Sequence, residues 1–222
     1  FVRSGNYRFI RTASVVFNPV DQKTLYYAGN VLFSTKDGGD HWKIISPDLS
    51  RAQWEVPACT GIYNGTSKEY DPGKMARRGV IYTVAPSSID QHTIWCGTDD
   101  GLIHITHNSG KSWSNVTTSE ITSWQKISLM DASHFDINTA YAAVNAIRTS
   151  DMKPYIYRTR DGGKSWTKIV TGLREDPINV VKEDPKCKGL LFFFFLTQVY
   201  FSTDDGEHWQ TLRCNMPATS IR

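Results

Sequence analysis

The sequence predicts an all-β fold: a β-propeller segment of four four-stranded antiparallel blades. Three observations predict it. The pattern S/T-x-D/N-x-G-x-x-W occurs four times in 222 residues. Each copy sits at the same place in a longer succession of short alternating strands and tight turns. Composition leans the same way, with 12% aromatic residues and 7 Trp favouring strands over helices.

The four copies are residues 35–42, 106–113, 159–166 and 202–209. Their fixed positions are Thr35, Asp37, Gly39 and Trp42; Thr106, Asn108, Gly110 and Trp113; Thr159, Asp161, Gly163 and Trp166; and Ser202, Asp204, Gly206 and Trp209. Upstream of the first copy, strands are expected at 13–17, 24–28 and 31–33, with a turn at 18–21. The second unit repeats this at 80–84, 93–96 and 102–105, the third at 125–129, 139–142 and 154–157, the fourth at 178–181, 190–192 and 199–201. A fourth short strand led by the Trp follows each copy, as at 42–45 and 166–169. Four strands per unit is the arithmetic of a propeller blade. The blades are placed at about 11–46, 79–117, 124–170 and 177–213.

Trp-to-Trp spacings of 71, 53 and 43 residues put the length variation in loops. The longest interval holds an inter-blade insertion at 47–78, rich in Gly, Pro, Arg and Lys. Residues 216–222 read as the start of a next blade, and 1–11 as a tail from a preceding one. The chain is therefore expected to be one stretch of a larger ring, its partners including the remaining blades of the same or a neighbouring chain.

Each residue of the motif has a folding role. The Asp side chain accepts bonds from turn amides, the Ser/Thr hydroxyl can bridge the two strands, and Gly supplies the left-handed conformation. The Trp covers the turn and is expected to pack on the next sheet, its indole N–H seeking a carbonyl. Direct catalysis by Asp37, Asn108, Asp161 or Asp204 is not expected.

The repeat resembles the Asp-box, or bacterial neuraminidase repeat, of sialidases, sortilin-type receptors, xyloglucanases and photosystem assembly factors. The stretches 45–51, 94–103 and 154–161 are similar to large sortilin-like or glycosyl-hydrolase-like propellers of largely unknown function. The resemblance implies that the boxes lie on the outer rim, between the third and fourth strands of a blade. It implies that ligands bind elsewhere, at the central funnel. Asn108 departs from the usual Asp and keeps an acceptor. The run Phe192–Phe195 occupies a place where Gly and polar turn residues are expected, as at Gly29 and Gly97. Four consecutive Phe cannot all face one side of a strand. Unusual packing, an exposed patch and an error in the sequence itself all remain open.

Two functions follow from the likeness. The first is a non-catalytic binding or scaffold module for protein or glycan ligands. The second is a glycoside hydrolase of xyloglucanase type acting on β-glucans, which needs two carboxylates roughly 5–9.5 Å apart. The candidate catalytic residue is Asp99 in Thr98-Asp99-Asp100-Gly101, whose D-G pair equally suits an ordinary hairpin. Its partner would come from other blades, or from Asp131 or Asp136. A sialidase is disfavoured because Tyr7-Arg-Phe-Ile10 lacks the order of an F/Y-R-I-P segment.

No metal and no cofactor is expected. The six His are scattered, with His41 and His208 at solvated turns and His104 on a strand, and no Gly-rich phosphate loop is present. A formal charge of +3 gives no case for nucleic acid, and the longest apolar run of seven residues gives none for membrane insertion. Cys96 is expected to be a buried thiol, Cys59 has no clustered partner, and Cys187 and Cys214 flank one blade and could pair. Two sequons offer glycan acceptors at Asn64 and Asn115, which permit a secreted or extracytoplasmic setting.

Overall fold

The computed structural model of the protein describes residues 7–52, 79–194 and 198–212. Asn64, Cys59, Cys214, Phe195 and the strand expected at 216–222 lie outside the described residues. Sixteen strands form four separate four-stranded antiparallel sheets, each in sequence order. The first holds β1 (Val15–Phe17), β2 (Leu25–Ala28), β3 (Leu32–Thr35) and β4 (Lys43–Ile44). The second holds β5 (Ile81–Pro86), β6 (Ile94–Thr98), β7 (Ile103–Thr106) and β8 (Ser114–Asn115). The third holds β9 (Lys126–Ala132), β10 (Ala140–Asn145), β11 (Tyr155–Thr159) and β12 (Thr167–Lys168). The fourth holds β13 (Val180–Glu183), β14 (Leu191–Phe194), β15 (Val199–Ser202) and β16 (Gln210–Leu212). Apart from a single 3-10 turn at Ile147–Thr149, the described residues contain no helix.

The sheets stack face to face, which explains why their middle strands are buried on both faces. β6 and β7 have no exposed residue, and β10 is buried throughout. Three apolar clusters fill the three gaps between neighbouring sheets. First strands of adjacent sheets touch one another, β1 with β5, β5 with β9 and β9 with β13, so they line one concave side. The fourth strands are short and largely exposed, and form the opposite, outer edge.

The stacking has a repeated fitting. The fourth residue of the second strand is Ala28, Gly97 and Ala143 in the first three sheets. A Cβ on Gly97 would lie 2.4 Å from Ile127 Cγ2 of the third sheet, so only a bare backbone admits that side chain. Gly97, expected in a turn, is thus a strand residue chosen for close approach. Phe194 holds this position in the fourth sheet, on the face turned away from the third. Strict alternation resolves the Phe run as far as it is described. Phe193 is fully buried, stacked on Tyr200 at 4.8 Å and edge-on to Trp209 at 4.7 Å, while Phe192 and Phe194 are half-buried on the other face.

Residues ahead of β1 lie over the other face of the first sheet. Phe9 stacks on Tyr27 at 5.3 Å, Tyr7 meets Phe33 edge-on at 5.2 Å, and Asn30 N–H donates to Arg8 O. Cys96 is buried with a free thiol that burial pushes up, and Cys187 is exposed and free.

Candidate functional site

The four repeated turns are built alike. In the first, the Thr35 hydroxyl donates to Asp37 Oδ1 at 2.7 Å and accepts the Gly39 N–H at 3.1 Å, while Asp37 Oδ1 also accepts the His41 N–H at 3.0 Å. Thr106, Asn108, Gly110 and Ser112 repeat these bonds, as do Thr159, Asp161, Gly163 and Ser165, and Ser202, Asp204, Gly206 and His208. The hydroxyl therefore closes the turn on itself and does not bridge strands. Two consecutive residues, not one, adopt positive φ: Gly38 and Gly39, Ser109 and Gly110, Gly162 and Gly163, Asp205 and Gly206.

The Trp points the other way from expectation. Trp113 Nε1 donates to Ile45 O, Trp166 to Val116 O and Trp209 to Ile169 O, each at 2.8 Å. Each acceptor is the residue just after the fourth strand of the preceding sheet. The motif Gly is pressed on the same residue, a Cβ on Gly110 falling 2.2 Å from Ile45 O and one on Gly163 2.7 Å from Val116 Cβ. Motif Gly and Trp together clamp the second, third and fourth sheets backward. The motif carboxylates stay in solvent. The His41 amide, then the Thr35 hydroxyl, holds Asp37 far below the usual range; the Ser165 hydroxyl holds Asp161 at about 2; the Ser202 hydroxyl, then the His208 amide, holds Asp204 far below. His41 and His208 are exposed, with Nδ1 2.7 Å from Asp37 Oδ2 and Asp204 Oδ2.

Asp99 and Asp100 lie at the opposite end of the second sheet, in the β6–β7 hairpin, and both are buried. Asp99 Oδ1 accepts the Val80 N–H at 2.8 Å and Oδ2 pairs with Arg148 Nη1 at 3.2 Å. Asp100 Oδ1 accepts the Thr98 hydroxyl at 2.5 Å and Oδ2 the Arg51 N–H at 2.8 Å; Arg51 Nε donates to Asp100 O at 2.7 Å. Gly79 fits against Asp100 so closely that a Cβ there would lie 1.8 Å from Oδ2. The two acids therefore clasp residues 51 and 79–80, which flank the 53–78 segment in sequence. Burial pushes the Asp100 carboxyl up, aided by the Asp99 charge and opposed by Thr98 and Arg51.

The suggested partners of Asp99 are not brought to it. Asp131, at the far end of β9, is buried, with Oδ1 2.6 Å from Lys182 Nζ and Oδ2 accepting the Glu183 N–H at 2.8 Å. Burial pushes its carboxyl up, and Lys182 opposes that. Asp136 Oδ2 accepts the Thr139 hydroxyl at 2.8 Å. That bond is one of a set: Thr24 donates to Asp21 and Thr93 to Asp90, each at 2.7 Å. This D-x-x-T signal is readable in the sequence and marks the turn after each of the first three inner strands.

Concavities sit at the motif end, two of them as follows. One, about 190 Å³, lies on the inner strands, lined by Val16, Phe17, Pro86, Met130, Asp131 and Lys182 among others. The other, about 250 Å³, lies between the third and fourth sheets. There the Tyr141 hydroxyl donates to Asp205 Oδ1 at 2.6 Å, Arg160 pairs with Asp205, and Arg158 pairs with Glu207 at 3.0 Å. No motif predicted this knot. Among the described residues no His, Cys, Asp and Glu group is placed to hold a metal ion. Asn115 is exposed on β8, its Oδ1 accepting the Thr117 hydroxyl at 2.7 Å.

No family model and no curated protein matches the sequence. Solved structures do match in shape. An ancestral GH74 enzyme aligns with a TM-score of 0.65 at 17% identity, over 94% of this chain and 25% of its own. The GH74 xyloglucanase of Xanthomonas campestris aligns at 0.60 and 16%, over 89% and 29%, and YCF48 from Cyanidioschyzon merolae at 0.53 and 17%, over 93% and 58%. The fold is a β-propeller segment. The chain spans a quarter to under two thirds of these structures, and identities this low carry the fold alone.

Proposed function

We propose that this propeller segment is a non-catalytic binding or scaffold module for protein or glycan ligands, part of a larger Asp-box protein of sortilin-like kind. One observation carries the reading. The carboxylates that the sequence offers for chemistry are engaged by turn amides, hydroxyls or cations, Asp99 by the Val80 N–H and Arg148 and Asp131 by Lys182 and the Glu183 N–H. A general acid or nucleophile must face its substrate, and Asp99 is only 6% exposed. An extracytoplasmic setting belongs to the same reading, in keeping with the exposed Asn115 sequon.

A second reading, a glycoside hydrolase acting on β-glucans, has one observation in its favour: Asp99 and Asp100 place two carboxyls side by side in the β6–β7 hairpin, although Asp100, at 1% exposed, is as buried as its neighbour. Incubating the full-length protein with xyloglucan and related β-glucans, beside its Asp99→Asn variant, separates the two. The binding reading expects no release of reducing ends by either protein. Turnover abolished by the substitution would replace it with the hydrolase.

A further inference from the structure

The residue two places ahead of each motif Ser/Thr is a buried aromatic ring: Phe33, His104, Tyr157 and Tyr200. Each lies directly across from a residue of the second strand. Phe33 faces Tyr27, Tyr157 faces Ala142 and Tyr200 faces Phe193, so carbon meets carbon in three sheets. In the second sheet the same position sets His104 against Cys96. Directly opposed residues share a face of the sheet, their Cβ atoms about 5 Å apart. This face is turned to the first sheet, where Cys96 packs with Tyr26, Ala28, Leu32 and Ile94. The Tyr26 hydroxyl is already engaged, accepting Asn18 Nδ2 at 3.0 Å.

Cys96 is fully buried and His104 is 9% exposed. The thiol is free, and His104 Nδ1 is enclosed without a hydrogen-bond partner among the described residues. An unpaired buried nitrogen is costly, and the three sister sheets fill the position with Phe or Tyr instead. Trp95 Nε1 is also buried and unpartnered, but an indole nitrogen has no lone pair to give a ligand.

A sulfur and an imidazole nitrogen on one dry face form a donor set for a soft metal ion. No group of three or more His, Cys, Asp or Glu is so placed among the described residues, so zinc, which takes three or four protein ligands, finds no set here. An ion satisfied by two opposed ligands needs only this pair. Charge selects the same ion. A thiolate, a neutral imidazole and a monovalent cation sum to zero, whereas a divalent cation leaves one uncompensated charge in an apolar core. Burial keeps the imidazole neutral at neutral pH.

We propose that Cys96 and His104 bind one copper(I) ion between the first and second sheets, with one sulfur and one nitrogen ligand. The Cys96 S–H bond breaks as the sulfur–copper bond forms, the proton leaves to solvent, and an imidazole lone pair completes the site. Copper enters and stays as copper(I), so nothing is oxidised or reduced. The proposal stands apart from the binding-module reading.

The test loads the protein with copper(I) under anaerobic conditions against a coloured copper(I) chelator. Cys59, Cys187 and Cys214 are first replaced by Ser, which leaves Cys96 as the one thiol of the sequence. This parent should keep one ion per chain, gain the mass of one copper less one proton, and show one sulfur and one nitrogen neighbour in X-ray absorption. Its unfolding midpoint should rise on loading. Zinc(II) should not be retained. His104→Phe, which copies Phe33, should weaken retention on the order of a hundredfold, and Cys96→Ala should abolish it. A parent that keeps no ion would overturn the proposal. So would retention unchanged in His104→Phe, which would assign the ion to the thiol alone, or two sulfur neighbours shared between chains. Should His104→Phe not fold, the absorption spectrum of the parent decides by itself.

Discussion

The same three-residue device serves opposite ends of this molecule. At the outer hairpins Thr35 donates to Asp37 and Thr159 to Asp161; in the β6–β7 hairpin Thr98 donates to Asp100, again two residues on, and accepts the Leu102 N–H as Thr35 accepts that of Gly39. Outside, the carboxylate stays solvated and its pKa is low. Inside the clasp it is buried, touches Gly79, and is pushed up. The Thr bond is shared and lowers both carboxyls, so it does not decide the difference between them. Burial does, and it is imposed by segments distant in the chain.

The largest expected effect comes from breaking the clasp. Asp100→Ala strands the Thr98 hydroxyl and the Arg51 N–H in a buried site and should cost about 3 kcal/mol in urea unfolding. Asp161→Ala, at a solvated turn, should cost far less in the same assay. Next comes Gly110→Ala, which meets both a positive φ and the Ile45 carbonyl; about 2 kcal/mol is expected in thermal unfolding. Trp166→Phe keeps most of the packing and loses only the bond to Val116 O, at about 1 kcal/mol.

The smallest effect, and the one that separates the two ends, is in pH. Asp161 has a folded pKa of about 2, below its unfolded value, so its stabilisation is present above that unfolded value and is lost as pH falls toward 2. Asp100 is raised, so its term is present at low pH and is lost as pH rises through its folded pKa. Asp161→Asn should therefore flatten the acid limb of the stability curve, and Asp100→Asn should steepen it. His104, whose pKa burial lowers to about 4, adds a loss as pH falls from its unfolded value of 6.5 toward 4. His104→Gln should remove that loss in urea titrations at stepped pH.

Much of the fold was legible because its signals are local. A hydroxyl, a carboxylate, a glycine and an indole within eight residues write out a complete turn, and four copies set the count of sheets. The direction in which Trp113 leans was not legible, since its acceptor Ile45 lies 68 residues away. The clasp was hidden for the same reason: Arg51 and Asp100 are 49 apart, and D-D-G reads equally well as a hairpin. Gly97 looked like a turn residue because sequence shows a missing side chain but not the Ile127 that needs its absence. The D-x-x-T turns were legible, and needed only the repeat to be aligned on its inner strand.

Asp99 is where the functional and structural readings meet, and one sample can test both. Urea unfolding and xyloglucan turnover should be measured on the same preparations of wild type and Asp99→Asn. The variant should unfold at a lower midpoint, because the Val80 amide and Arg148 lose their carboxylate, and neither protein should turn xyloglucan over. A variant as stable as wild type that loses a turnover the wild type has would contradict both expectations.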